Sequence, residues 1–305
     1  MGTLENFFDV SKGELVVRYW SLLIDSVLFD MEPGGFHITN MILHGAVGLL
    51  LFLYLRRLLE YFKMKRAALG ALVGSLVFVT HPMGTEAVAA ISHRKEMLAG
   101  VFLLLALWRS FTPHRSLLRS LEVSIYLALA LFSKAPAIMF FPLLVTVDFL
   151  QRRWDWKYYI APVVTASLYI YTRFFGITKA VTSERHFEAF NPQMIDVSQG
   201  DRFFTSMKTL GMYWWLSIWP WEPTMERFVP AASMRSWEAW AVIALALLGA
   251  FFAWRWRSKY PILTLGLVWI IIAPVPTINL LPLNFLFSER YMYLPMLGFA
   301  FVCAW

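Results

Sequence analysis

The sequence contains little charge and almost no cysteine. Of its 305 residues, 15% are charged and 59% are hydrophobic, and the single cysteine is Cys303. One thiol excludes a disulfide framework and a cluster of thiolate metal ligands. A soluble domain is usually about a quarter charged, and it has no way to bury so large an apolar excess. Soluble enzymes, fibrous proteins and disordered chains are therefore excluded, and we expect an integral membrane protein.

The N-terminus lacks targeting signals as well. The segment that starts at Met1 has no basic stretch leading into an apolar core, so a cleaved signal peptide is not expected. Asn6 occupies the position at which N-myristoylation requires Ser or Thr. The sequence ends at Trp305 within an apolar run. We therefore expect the chain to be incomplete at both ends.

The net charge of +7 is carried by short basic clusters that separate apolar runs. Cytoplasmic loops of membrane proteins carry such an excess of Lys and Arg. The clusters at 56–66, 109–119 and 152–157 are therefore predicted to be cytoplasmic, and the segments 81–96 and 176–202 to lie outside. At about 20 residues per spanning helix, the apolar content predicts an all-α, polytopic helical bundle with about nine spans. The apolar runs are Ile38–Leu59, Ala67–Thr80, Met97–Arg109, Leu121–Leu131, Ile138–Leu150, Tyr158–Phe175, Trp237–Trp254, Pro261–Ala273 and a last run from Tyr291.

Residues 1–37 are predicted to form an extracytoplasmic loop, and residues 38–305 a multi-span membrane module. Within the loop, polar side chains recur at helical spacing on an otherwise apolar segment. This pattern predicts an amphipathic helix that lies along the outer membrane interface. The polar positions are Glu14, Arg18, Ser21 and Asp25.

The segment 203–219 does not fit the alternation of sides, because it begins and ends outside in this topology. Tyrosine and tryptophan favour the headgroup layer of a membrane. The segment contains Tyr213, Trp214 and Trp215, so we predict an interfacial or re-entrant helix. A true span that breaks the charge rule is the alternative.

Most polar residues outside the basic clusters fall on the predicted outer side. Ionisable groups at membrane depth are costly, so this gathering predicts one shared polar cavity. Arg and Lys there are suited to holding a phosphate, and a carboxylate is suited to acting as general base on a hydroxyl. In the structural alternative, Glu289 pairs with Arg290 and Arg94 pairs with Glu96. The polar residues concerned are His37, Asn40, His44, His81, Glu86, His93, Arg94, Lys95, Glu96, Lys134, Glu289 and Arg290.

Four segments, in order, resemble motifs of the transmembrane and tetratricopeptide-repeat-containing protein O-mannosyltransferase family and its bacterial relatives. The longest reads His-Pro-Met-Gly-Thr-Glu-Ala-Val and continues to Arg-Lys-Glu; the last reads Glu-Arg-Tyr-Met-Tyr-Leu-Pro. The other two resemble the family's Phe-His entry to a span and its Ser-Lys element. The four segments are Gly35–His44, His81–Ala99, Leu131–Lys134 and Ser288–Gly298.

The resemblance implies a GT-C glycosyltransferase fold with its active site on the extracytoplasmic face. It implies transfer of a mannose-like hexose from a polyprenyl-phosphate donor to a protein Ser or Thr hydroxyl. Arg94, Lys134 and Arg290 are then the expected ligands of the donor phosphate. The expected sugar or acceptor contacts are His37, His81, Glu86, Glu96, Glu289 and Tyr291.

The chain departs from the family pattern in three places. It lacks the acidic motif that follows the family's first span and is thought to supply the catalytic base, and it has no tetratricopeptide repeats. Ala135 stands where the family often has Glu after Ser-Lys. The catalytic base is therefore unknown, with Asp9, Glu14 and Asp25 as weak candidates.

We expect an enzyme of the bacterial inner membrane or endoplasmic reticulum whose catalytic base lies outside this chain. Its expected partners are the polyprenyl-phosphate sugar donor, a protein or glycan acceptor and the lipid bilayer, with no nucleic acid. No cofactor is expected, and a divalent metal ion is left open because His93 and Glu96 alone are a weak signal. The alternatives are a lipid-linked glycan ligase and a non-catalytic scaffold or transporter. The sugar, the acceptor and the oligomeric state are not predicted.

Overall fold

The computed structural model describes residues 16–111, 115–175, 198–221, 224, 227–280 and 286–305. Within these ranges the chain forms helices and no strand, which confirms the all-α prediction. The twelve α-helices described are α1 Val16–Leu28, α2 Pro33–Tyr61, α3 Ala67–Thr80, α4 Thr85–Ala89, α5 Arg94–Ser110, α6 Leu117–Ser133, α7 Phe140–Gln151, α8 Trp156–Phe175, α9 Gln199–Ile218, α10 Trp237–Trp256, α11 Pro261–Ile272 and α12 Met296–Ala304.

Short 3-10 helices interrupt the apolar sequence at several of the predicted span ends. Three of them have proline at their first or second position. Proline lacks a backbone N–H and clashes with the preceding turn, so it ends the helix before it. The 3-10 helices are Pro82–Gly84, Ile91–His93, Ala135–Met139, Val275–Thr277 and Glu289–Met292.

These breaks leave fewer long apolar helices than the sequence predicts. Among the described residues, two helices are long and apolar enough to cross a membrane: α2, with 29 residues, and α10, with 20. The count becomes three if α3 and Pro82–Ala89, which are bent by 56° against each other, form one broken span. The prediction of about nine such helices is therefore wrong, because most apolar runs form helices of 9 to 17 residues. That is below the roughly 20 residues that a helix perpendicular to the bilayer requires.

The core forms around α2, which packs against α3 and α5. Its buried residues recur at helical spacing, among them Val47, Leu51 and Leu55, each fully shielded from solvent. Further layers follow from α5 against α6, α6 against α8, and α3 against α12. The core thus places the ends of α3, α4 and α5 beside the segment that precedes α12.

The contact between α3 and α12 depends on glycine. An ideal Cβ atom on Gly74 would lie 2.4 Å from the carbonyl oxygen of Ala300, and one on Gly70 would lie 2.3 Å from that of Ala304. The four-residue spacing puts both glycines on one face of α3. Small residues at this spacing let two membrane helices approach closely.

The predicted cytoplasmic loops meet at one end of the bundle. Arg57 Nη1 donates to the carbonyl of Trp108 at 3.3 Å, and the Tyr61 hydroxyl donates to the carbonyl of Gln151 at 3.4 Å. Arg109 forms an ion pair with Glu122 at the same end. The three basic clusters therefore share one side of the molecule, although the side of the membrane on which they lie stays a prediction.

The segment predicted to be interfacial or re-entrant forms most of α9. The Tyr213 side chain is fully buried, whereas Trp215 and Trp219 are exposed by 64% and 57%. The helix has 20 residues but is not among those apolar enough to count as a candidate span. Its position relative to the membrane stays a prediction.

Candidate functional site

Residues from three of the four motifs meet where α4 and α5 face the segment before α12. We call this group the motif cluster. It consists of Glu86, His93, Glu96, Lys134, Ser288, Arg290 and Tyr291, whose contacts with one another follow.

The Glu86 carboxylate joins the second motif to the fourth. It accepts hydrogen bonds from the Ser288 hydroxyl at 2.9 and 3.0 Å and from the Arg290 backbone N–H at 2.8 Å. Arg290 Nη1 also donates to it at 2.9 Å. The residue is buried, so these bonds replace the water that a carboxylate needs. Glu86 thus connects segments that are 202 to 204 positions apart.

The contacts of His93 fix its tautomer. Its Nδ1 lies 3.2 Å from the backbone carbonyl of Glu86 and donates to it, because a carbonyl only accepts. Its Nε2 lies 2.7 Å from Arg290 Nη1, which only donates. Burial, and then the positive charge of Arg290, lower the pKa of His93 to about 4. The imidazole is therefore neutral at physiological pH and acts as an acceptor for Arg290.

Lys134 reaches the cluster from the end of α6. Its ammonium group forms an ion pair with Glu96 and lies 5.1 Å from the centre of the Tyr291 ring. The Arg290 guanidinium lies 5.4 Å from the centre of the same ring. A cation close to an aromatic ring is attracted by its quadrupole. Tyr291 therefore brings the Lys134 and Arg290 cations to one place.

Arg94 occupies a separate, fully buried network. Its five N–H donors make five hydrogen bonds, which is all that a guanidinium provides. Nε donates to Asn40 at 2.8 Å, and Nη1 donates at 3.1 Å both to the hydroxyl and to the carbonyl of Ser21. Nη2 donates to the Phe36 carbonyl at 3.0 Å and to Asp25, its ion-pair partner. No donor of Arg94 is left for the phosphate that the sequence assigned to it.

The candidates for the catalytic base lie away from the motif cluster or outside the described residues. Asp25 is buried, accepts from Thr39 at 3.0 Å and is ion-paired with Arg94. Its carboxylate therefore serves the Arg94 network. Asp9 and Glu14 lie outside the described residues.

The structural alternative to a phosphate site, in which Glu289 pairs with Arg290 and Arg94 with Glu96, is wrong. Glu289 accepts from the backbone N–H of Thr224 at 2.8 Å, whereas its neighbour Arg290 pairs with Glu86. Burial raises the pKa of Glu289, an effect that the N–H of Thr224 opposes. Arg94 pairs with Asp25 rather than with Glu96. Successive residues point in different directions along a helix or turn, so each finds its partner on another element.

Two predicted sugar or acceptor contacts have other surroundings. The His81 Nε2 donates to the Ser217 carbonyl at 3.0 Å, and its Nδ1 accepts from the backbone N–H of Met83 at 3.2 Å. His81 therefore holds the break between α3 and α4. His37 is exposed on α2, and among the described residues no contact joins it to the motif cluster.

The arrangement has no group of metal ligands in the part of the chain that the structure describes. Nowhere there do three or more His, Cys, Asp or Glu side chains come together as a metal would require. His93 and Glu96, the pair that the spacing suggested, are engaged with Arg290 and Lys134. What the cluster offers is a set of cations held by carboxylates at the surface of the helical core.

Ser288 was not among the predicted site residues. Its hydroxyl donates to Glu86, and its backbone N–H and carbonyl both bond to the Tyr213 hydroxyl, at 3.0 and 3.1 Å. The signal available in the sequence was its position directly before Glu-Arg-Tyr. Because Tyr213 is on α9, that helix also takes part in positioning Arg290.

Comparison with known proteins places the chain beside one group of membrane enzymes. It is 25% identical to the protein O-mannosyl-transferase F38B6.6 of Caenorhabditis elegans over 94% of this chain and 41% of that protein. It is 26% identical to the mouse protein O-mannosyl-transferase TMTC4 over 88% of this chain and 43% of that protein. A shorter region, 35% of this chain and 12% of the relative, is 37% identical to Drosophila melanogaster Tmtc1. No family model matches the chain, and no solved structure matches it significantly.

The relatives that match almost all of this chain are longer than it is. The chain spans about two fifths of their length, 41% and 43% of the worm and mouse proteins. All of these relatives carry the name protein O-mannosyl-transferase. The curated homologues of this chain are therefore the TMTC-family protein O-mannosyl-transferases, the family that its four sequence motifs resemble.

Proposed function

We propose that the chain is the membrane module of a GT-C glycosyltransferase. It transfers a mannose-like hexose from a polyprenyl-phosphate donor to a Ser or Thr hydroxyl of a protein. The reaction takes place on the extracytoplasmic face of the bacterial inner membrane or the endoplasmic reticulum. The motif cluster is the donor end of the active site.

The observation that carries this proposal is the convergence of distant motifs on one group of cations. Arg290 is held by Glu86 and His93, and Lys134 by Glu96, with Tyr291 between the two cations. A fold needs no such convergence for stability, because buried ion pairs are often replaced by apolar residues at no cost. Binding of a negatively charged ligand would account for this convergence of cations.

The chemistry requires stabilisation of a leaving phosphate. In the proposed reaction, the acceptor hydroxyl attacks the anomeric carbon, the bond from that carbon to the phosphate oxygen breaks, and the configuration inverts. Negative charge then grows on the phosphate, where preorganised cations are most effective. Arg290 supplies a planar fork of N–H donors and Lys134 a point charge.

A carboxylate must take the proton of the acceptor hydroxyl. In the described part of the chain, the carboxylates of the cluster already have partners. Glu86 accepts a hydrogen bond from Ser288 and forms an ion pair with Arg290, and Glu96 forms an ion pair with Lys134. We assign the base to none of them. This agrees with a base on the acidic first outer loop of the family, which this chain does not contain in matching form.

The α1 helix supports a position at the membrane interface. Its polar side chains face the protein, since Ser21 and Asp25 both bind Arg94. The opposite face exposes large apolar side chains at helical spacing, which suits contact with lipid. These exposed residues are Trp20, Ile24, Val27 and Leu28.

The positions of charge favour a transferase over a transporter. In both candidate spans, α2 and α10, every Asp, Glu, Lys and Arg lies within the first or last six residues. A transporter would instead place charged and broken helices near the bilayer midplane. The charged residues of these two helices lie at the helix ends.

The proposal is tested on the full-length protein, with a polyprenyl-phosphate mannose donor and a Ser/Thr-rich acceptor peptide. Arg290→Lys keeps the charge but loses the planar fork of N–H donors. Transfer should fall by about 10²-fold, as when one transition-state donor is lost. Arg56→Lys, at the opposite end of the bundle, is the matched control and should leave transfer unchanged.

Thermal unfolding of each variant separates loss of function from loss of fold. If Arg290→Lys is unstable, Lys134→Gln tests the same end of the site with less effect on the Glu86 network. Transfer that is unchanged in both variants would contradict the assignment of the donor end. Transfer to a glycan acceptor and not to the peptide would identify the protein as a lipid-linked glycan ligase.

A further inference from the structure

Among the described residues, no carboxylate forms an ion pair with Lys95, whereas Lys134 and Arg290 each have one. It is the second residue of α5 and is partly buried. Among the described residues, no Asp or Glu oxygen lies within ion-pair distance of its ammonium group, and no hydrogen bond to it is seen. The preceding residue, Arg94, makes five hydrogen bonds, and the following residue, Glu96, forms an ion pair with Lys134.

The charged groups around Lys95 are mostly cations. They come from four elements: Arg18 on α1, Glu96 on α5 itself, Lys134 at the end of α6 and Arg290 before α12. Burial and the positive charges of Lys134, Arg18 and Arg290, opposed by the negative charge of Glu96, together lower the pKa of Lys95 to about 8. The residue precedes the apolar run that starts at Met97, so it lies at the end of the bundle.

Among the described residues around Lys95 and the motif cluster, the charges do not balance. Four cations, Arg18, Lys95, Lys134 and Arg290, face two carboxylates, Glu86 and Glu96, which leaves an excess of two positive charges. His93 contributes none, because the pKa of this residue is lowered to about 4. The ion pair of Arg94 with Asp25 is neutral overall, and the positive charge of Arg227 acts on the negative charge of Glu289.

Such an excess has a cost in a partly buried site. Like charges repel most strongly where water is scarce. An anion that binds among these cations removes the repulsion and gains charge-assisted hydrogen bonds. A phosphate group fits the excess because it is anionic and has several acceptor oxygens. It carries one negative charge in the donor, where it is esterified to both lipid and sugar, and between one and two once the sugar has left.

We propose that Lys95 is a ligand of the donor phosphate, between Lys134 and Arg290, and that Arg94 only builds the frame around it. The choice of a polyprenyl phosphate as ligand rests on the proposed function. The cation set itself rests on the contacts above. Arg18 lies beside the exposed apolar face of α1, which is where a phosphate on a lipid would arrive.

Binding is measured with farnesyl phosphate, a short polyprenyl phosphate without sugar, on the full-length protein in detergent. Lys95→Met removes the charge and keeps most of the side-chain volume. A hydrogen bond to a charged group contributes about 1.5–3 kcal/mol, so affinity should fall about 10- to 100-fold. Lys95→Arg should keep most of the affinity. Lys63→Met, an exposed cation at the other end of α2, is the control and should bind normally.

Stability without ligand gives a second, independent readout. Lys95 has no ion-pair partner among the described residues that its removal would leave unpaired, and its removal relieves repulsion with Lys134, Arg18 and Arg290. Lys95→Met should therefore have an unchanged or raised thermal midpoint while it loses farnesyl phosphate. A lowered midpoint with unchanged affinity would identify Lys95 as structural and overturn the proposal. Lys95→Gln serves as a second neutral variant if the methionine variant is not recovered.

The pH dependence follows from the lowered pKa of Lys95. The free protein loses this positive charge as pH rises through about 8, whereas phosphate stays ionised. Affinity for farnesyl phosphate should therefore fall between pH 7 and pH 9.5 in the unchanged protein. Lys95→Arg, whose guanidinium stays charged, should show a flatter profile. Equal profiles for the two proteins would contradict a direct role for the ammonium group.

Two further ligands distinguish the sources of the anion. Farnesol, which lacks phosphate, should not compete, and inorganic phosphate should compete weakly because it lacks the lipid chain. Competition by inorganic phosphate as strong as that of farnesyl phosphate would overturn a lipid ligand. If Lys95→Met loses farnesyl phosphate but no mannose is transferred by the unchanged protein, the site stands and the proposed function fails. If the unchanged protein transfers mannose and Lys95→Met binds farnesyl phosphate normally, the proposed function stands and the assignment of Lys95 fails.

Discussion

Arg94 and Lys95 show how far two neighbouring cations of similar size can differ in role. The Arg94 donors are all used, by Asp25, Asn40, Ser21 and the Phe36 carbonyl. Lys95 is surrounded by other cations and lacks a carboxylate partner among the described residues. A saturated guanidinium holds a fold together, whereas an unneutralised ammonium group is available to a ligand.

The first residue-scale prediction concerns the frame. Arg94→Met leaves the buried carboxylate of Asp25 without its partner, which should cost about 3–5 kcal/mol of stability. The double variant with Asp25→Asn should recover much of that loss, because no charge is then stranded. Thermal unfolding in detergent measures both. Arg56→Met, which removes one partner of an exposed pair, should change stability by no more than about 1 kcal/mol. A double variant as unstable as the single one would contradict the Asp25–Arg94 assignment.

At the scale of elements, the breaks between helices position the site. Pro82 and Pro136 end apolar runs beside the residues that form the cluster, and the short 3-10 turns then redirect the chain. Glu86, His93 and Lys134 lie at or next to such turns. The segments that shorten the helices are therefore the same ones that carry the motifs.

The element-scale prediction tests the crossing of α3 and α12. Gly74→Ala would place its Cβ 2.4 Å from the Ala300 carbonyl oxygen, which is backbone and moves only with the helix. Overpacking of this kind should lower stability by about 1–3 kcal/mol. Gly45→Ala is the matched control, because nothing lies within 4 Å of its Cβ position. It should be neutral or stabilise by up to about 1 kcal/mol, since alanine favours helix. Equal thermal midpoints for the two variants would show that α3 and α12 do not touch as described.

At the scale of the whole molecule, polar residues collect at two ends of an apolar bundle. One end carries the basic clusters around Arg57, Arg109 and Arg153; the other carries the motif cluster. The positive-inside rule then predicts that the motif cluster faces away from the cytoplasm.

The whole-molecule prediction uses the two ends of α2. On a Cys303→Ala background, a membrane-impermeant maleimide added to intact cells should label Glu32→Cys and not Lys63→Cys. Both positions are exposed and flank a single candidate span, so they differ only in side. After permeabilisation both should react. Labelling of Lys63→Cys alone would reverse the topology and place the motif cluster in the cytoplasm.

The sequence alone determined the all-helical class of the protein and the group of proteins that it resembles. A composition of 59% hydrophobic residues predicts a membrane protein. In a membrane, apolar segments of this kind form helices, because a helix satisfies its own backbone hydrogen bonds. The four motifs identified relatives that the comparisons confirm. These conclusions depend on local pattern and residue identity, which the order of residues contains directly.

Tertiary structure decided the partners of the charges and the number of long apolar helices. The sequence offered Glu289 for Arg290 and Glu96 for Arg94, but the fold supplies Glu86 and Asp25, 204 and 69 positions away. Burial favours the pairing of opposite charges, and which partner a charge meets depends on how the helices cross. The number of long helices depended on where proline-containing turns cut apolar runs. For Lys95 the same packing left a cation that no carboxylate of the described residues pairs with, and its neighbours in the sequence do not predict this.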